Sequence, residues 1–133
     1  DLFHVVDEPS GTPINKKISA ANVFNNIPSW LGVGQTSQSI TADASSQVAN
    51  VTTAVTEINA TAATGAISLA DGSDGQVKMI INTSTSGTNN VVVTPTNLRG
   101  GTTITLNAEG ETVTLLFKNA KWNVIAGHGY VVA

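Results

Sequence analysis

The chain has 133 residues, a formal net charge of −3 and no cysteine, and only 11% of its residues are charged and 5% aromatic. That length suits one domain, or one domain with an arm. The totals exclude disulfides, thiol catalysis and cysteine-ligated zinc, and no apolar run is long enough to form a membrane-spanning helix. Nucleic acid is not an expected partner either, because Lys16-Lys17 is the sole basic cluster and there are few aromatics to stack on bases. A typical soluble domain carries about 25% charged residues. Here threonine, serine, asparagine, alanine and glycine take their place, and a neutral surface rich in β-branched residues protects sheet edges poorly. The edges are therefore expected to be covered, by copies of the chain itself or by a larger assembly.

Residues 1–34 read as a separate arm. Leu2–Val6 is a short apolar strand, and Asp7-Glu8-Pro9-Ser10-Gly11-Thr12-Pro13 is dense enough in proline, glycine and aspartate to be a turn. Lys16-Lys17-Ile18 resumes as a second strand. Ser19 is placed to cap a short helix over 20–26, which Pro28 would stop. This arm holds Phe3, Phe24 and Trp30, more aromatic surface than thirty-odd residues can bury alone. It is expected either to pack on the rest of the chain or to dock on a neighbouring subunit. Leu2, Phe3, Val5, Phe24, Ile27 and Trp30 are its candidate subunit or shell contacts.

Residues 35–133 form the predicted β domain, and its first third is ambiguous. Val48, Val51, Val55, Ile58 and Ala62 fit a heptad for about two repeats, fewer than a coiled coil wants. Read at period two, Thr53, Val55, Glu57 and Asn59 share one face, and Ala54, Thr56, Ile58 and Ala60 the other, as in a half-buried strand. Helix and strand both stay open over 44–62.

Beyond Asp71 the pattern is clearer. Val77–Ile81, Val91–Val93, Ile104–Leu106, Val113–Phe117 and Trp122–Ile125 are short runs about 10 to 14 residues apart, with turn signals between them. Asp71-Gly72 and Asp74-Gly75 read as tight turns, Pro95 ends a strand, and Gly100-Gly101 loosens a loop. The alternation predicts Val77, Met79 and Ile81 on an apolar face, with Lys78, Ile80 and Asn82 on a mixed one. Trp122 and Val124 are expected to pack against Phe117 across a strand pair. His128 opens a C-terminal tail. The predicted class is mainly β, an antiparallel β-sandwich or barrel-like domain preceded by an arm containing a short helix.

Two stretches resemble known virion modules. LFHVVDEPSGTPINKKISAANVF (2–24) resembles an anchor segment of phage fibre and other virion proteins. LADGSDGQVKMII, VVVTPTNLRGGTTITL and GETVTLLFKNAKWNVI, within 69–125, resemble a β module of virion structural proteins of tailed bacteriophages. The resemblance implies a structural role, often as a homotrimer, in capsid decoration, head fibre or tail fibre proteins, and it brings no catalytic residues with it. The expected partners are further copies of the chain and a major capsid or other virion protein. The short length favours a decoration protein over a long fibre. A fibre tip or carbohydrate-binding, receptor-binding module is the alternative.

No residue set argues for an enzyme. His4 and His128 have no visible catalytic partner. Asp71-Gly72-Ser73-Asp74-Gly75 lacks the terminal glutamate and ligand ladder of a calcium loop. Glu109 and Glu111 flank a hairpin glycine, where solvated turn residues are the ordinary reading. No cofactor or metal is expected.

Overall fold

The computed structural model describes the backbone strands β1 (Leu2–Asp7) and β2 (Ile14–Ser19) and all of residues 37–133. β1 and β2 pair antiparallel, with Phe3 opposite Ile18 and Val5 opposite Lys16. The expected helix over 20–26, and with it Phe24, Ile27 and Trp30, lies outside the described residues.

The remaining strands are β3 (Gln38–Ala42), β4 (Gln47–Ala49), β5 (Val55–Ala60), β6 (Thr64–Leu69), β7 (Val77–Asn82), β8 (Asn90–Pro95), β9 (Ile104–Leu106), β10 (Thr112–Lys118), β11 (Lys121–His128) and β12 (Val131–Val132). They form two five-stranded sheets, ordered β11-β10-β7-β5-β3 and β12-β9-β8-β6-β4. The described residues contain no helix. The heptad reading of 48–62 therefore fails and the period-two reading holds: Thr56, Ile58 and Ala60 of β5 face inward, while Val55, Glu57 and Asn59 face outward.

The fold is mainly β, but the expected antiparallel pairing is corrected: both sheets are mixed. From β3 to β8 the chain changes sheet at every strand. Neighbours within a sheet are thus two strands apart in sequence and run the same way: β3, β5 and β7 are parallel in one sheet, and β4, β6 and β8 in the other. The Asp-Gly turns show why the spacing misled. The loop between β6 and β7 does not close a hairpin. It crosses from one sheet to the other, over the Trp122 ring, whose Nε1–H donates to the Ala70 carbonyl at 2.9 Å. Only after β8 does antiparallel pairing take over, through β8–β9, β7–β10, β10–β11 and β9–β12.

Both inner faces meet in one core. Ile40, Ile58, Ile80, Val113, Leu115, Phe117 and Trp122 come from the first sheet, and Ile67, Leu69, Val91, Val93, Ile104 and Leu106 from the second. Burial of each such side chain stabilises the fold by about 1.5–3 kcal/mol. The sheets approach closely beside Gly65, where an added Cβ would lie 2.8 Å from the Ala42 Cβ and 3.0 Å from that of Ala60. Phe117 and Trp122 pair as predicted, edge to face, with ring centroids 5.1 Å apart. The segment after Gly127 is not a free tail: β12 returns to the second sheet beside β9, and the Ala133 carbonyl accepts from the amides of Thr102 and Thr103.

Candidate interaction surface

The orientation of β7 sets the character of the molecule's surface. The sequence predicts Val77, Met79 and Ile81 as its apolar face and Lys78, Ile80 and Asn82 as its mixed one. The structure turns the apolar face outward: Lys78, Ile80 and Asn82 are fully buried, and Val77, Met79 and Ile81 are half-buried. The inward polar groups are accommodated because each has a hydrogen-bond partner, and Asn82 reaches the facing sheet for its own. Lys78 Nζ donates to the Thr53 carbonyl at 2.8 Å and to Thr53 Oγ1 at 3.2 Å. Asn82 Nδ2 donates to the Leu106 carbonyl at 3.1 Å, and its Oδ1 accepts from the Ser84 amide at 2.9 Å. Ser84 Oγ accepts from the Ala60 amide at 2.7 Å. Gln76, just before β7, binds the Val51 carbonyl and accepts from the Ser73 amide. Among the described residues no buried side-chain nitrogen or oxygen is left unpartnered.

These bonds tie the bend at 50–54 and the turn after β7 to the strand between them. Asn50 fixes the same bend locally, its Oδ1 accepting from the amides of Thr52 and Thr53. Lys78 is held by neutral oxygens, with no carboxylate within ion-pair reach among the described residues. Burial therefore pushes its ammonium down from 10.5 to about 8.

The outward face is correspondingly apolar. In register across the sheet, Leu116 lies beside Val77, and Met79 sits between Val55 and Thr114. Ile81 sits between Glu57 and Thr112. Val55, Met79, Ile81, Thr112 and Thr114 line an open groove of about 260 Å³. At the β11 margin a bulge opposite Thr114/Leu115 leaves Ile125 55% exposed. The face has no charge at its centre. Glu57, midway along β5 and beside Ser39 of the edge strand β3, stands at one corner of this apolar band. At the opposite corner are Lys121, Lys118, which is paired to Asp74 at 2.7 Å, and Arg99, whose Nε donates to Asn123 Oδ1 at 2.7 Å.

The residues singled out from sequence are described only in part. Leu2, Phe3 and Val5 lie on β1, and the surroundings of their side chains are outside the described residues, as are Phe24, Ile27 and Trp30 altogether. The acidic loop is used structurally: Asp71 accepts from Asn97 Nδ2 at 2.7 Å, and Asp74 from Lys118 and from the Asn119 amide. The Lys118 contact holds the Asp74 carboxyl below its ordinary value. Glu111 folds back onto the Asn107 amide. No three of His, Asp and Glu gather as a metal site would require among the described residues. The outer face of β5, β7 and β10 escaped sequence reasoning, because its residues carry the mark of a core. The one available clue was Lys78, which sits in the middle of an apolar run. Comparison with protein-family models gives no match, and comparison with curated proteins gives none either.

Proposed function

We propose that this chain is a non-enzymatic structural protein of a tailed-phage particle, a homotrimeric capsid decoration protein that binds the shell through its N-terminal arm. The observation that carries the reading is the apolar outer face of β7, joined to a chain that is poor in charge throughout. A half-buried outer band of valine, methionine, isoleucine and leucine suits a surface that works covered. The resemblance of 2–24 and 69–125 to virion modules supplies the setting. In this role the β domain forms the body of the trimer, and Leu2, Phe3, Val5, Phe24, Ile27 and Trp30 reach a neighbouring subunit or the major capsid protein. Contacts worth about 1.5–3 kcal/mol each are multiplied by the copies arrayed on a shell.

The alternative, a fibre or carbohydrate-binding tip, is supported less well. Sugars are commonly held on exposed aromatic rings, yet among the described residues Trp122 is buried and Tyr130 packs against the core, and Trp30 lies outside them. A labelled image of the particle tests the reading directly, with label expected over the capsid surface. Label confined to the tail, or strong binding on a glycan array, favours the alternative. Shells incubated with a chain lacking residues 1–34 are expected to lose most of their decoration, and full occupancy would refute the arm's role.

A further inference from the structure

We infer that the outer face of the β11-β10-β7-β5-β3 sheet is the surface on which copies of this chain meet. The inference rests on the proposed oligomeric role and assigns that role a location, separate from the arm. Three observations support it. The central strand gives its apolar side to the outside and its polar side to the core, which leaves valine, methionine and isoleucine on the outer face of the sheet. The band continues across three strands, from Leu116 through Val77 and Met79 to Val55, and beside Met79 to Ile81.

The third observation concerns charge and points to a second copy as the occupant. The face is neutral at its centre, acidic at the Glu57 corner and basic at the diagonally opposite corner, where Arg99 and Lys121 stand. With copies arranged around a common axis, a placement that turns the Glu57 side of one protomer toward the Arg99–Lys121 side of the next keeps like charges apart. An acidic or basic partner would gain from only one corner.

The chain carries its own reporter, because Met79 is its single methionine and lies at the middle of the face. The full-length protein is treated with hydrogen peroxide at several protein concentrations. Addition of one oxygen to Met79 is followed by mass spectrometry, and sedimentation of the same samples gives the assembly state. Met79 is expected to oxidise about tenfold more slowly where the chain is assembled than where it is dilute and monomeric. In parallel, Ile81→Lys is expected to leave the far-ultraviolet circular dichroism intact and to shift the protein to monomers. Thr94→Lys, on the exposed side of the other sheet, is expected to leave assembly unchanged.

Assembly with Met79 oxidised at the monomer rate would overturn the inference while leaving an oligomeric virion protein standing. A chain that stays monomeric at every concentration would overturn the inference together with the trimer, and the arm's binding to shells would still stand or fall on the truncation test. If Ile81→Lys fails to fold, the wild-type oxidation profile decides alone.

Discussion

Lys78 is the residue whose environment departs furthest from its chemistry. Its ordinary value is 10.5 and in the fold it falls to about 8, with burial as the cause. The unfolded chain keeps this proton up to about pH 10.5, whereas the folded chain gives it up above pH 8. Below pH 8 both states are charged and the full burial penalty, on the order of 3 kcal/mol, opposes folding. Between pH 8 and 10.5 the unfolded state binds more protons, and Lys78 makes stability rise with pH. Urea denaturation across that window is expected to show the rise in the wild type and to lose it in Lys78→Met; an equal slope in both would refute the assignment. Gly65 is the second sensitive residue. A side chain there meets Ala42 and Ala60 from the facing sheet, so Gly65→Val is expected to destabilise by about 1–3 kcal/mol, read as a lower urea midpoint at unchanged slope.

Among the elements, the β10–β11 hairpin is the most strained. Asn119 and Ala120 both adopt positive φ, 53° and 56°, as a two-residue turn matched to the strand twist demands. Asparagine tolerates this conformation and alanine does so at a cost. Ala120→Gly is therefore expected to stabilise the protein by about 1 kcal/mol, measured by thermal or urea unfolding.

This hairpin was legible in the sequence, as were β8, β9 and the Phe117–Trp122 pair, because each depends on local alternation and a nearby turn. The winding of β3 to β8 was not. Parallel neighbours lie far apart in the chain, and the step from Ile40 to Ile58 is shorter than that from Val55 to Met79, so no fixed period marks them. The facing of β7 was illegible for a different reason. Hydropathy alone places Met79 inside and Lys78 outside, and the reversal is decided by Thr53 and Leu106, whose carbonyls receive the two buried donors. Nor could the sequence decide between coil and strand near Val55, where both periods fit the same valines and isoleucines.

At the scale of the molecule, the two sheets share one core, and the alternation between them leaves each sheet with an outer side. An all-parallel sheet is ordinarily covered on both faces and an antiparallel one can leave a face open, and this sheet combines the two pairings. In the β11-β10-β7-β5-β3 sheet the outer side carries the side chains that such cover would contact, with one acidic and one basic corner to orient it. The resemblance to virion modules and the scarcity of charge agree with a chain that works in many copies. Sedimentation equilibrium of the full-length protein over a wide concentration range tests this most directly. The account predicts a closed assembly, with three copies expected, that dissociates when Ile81 is replaced by lysine. A single protomer persisting to the highest concentrations would contradict it.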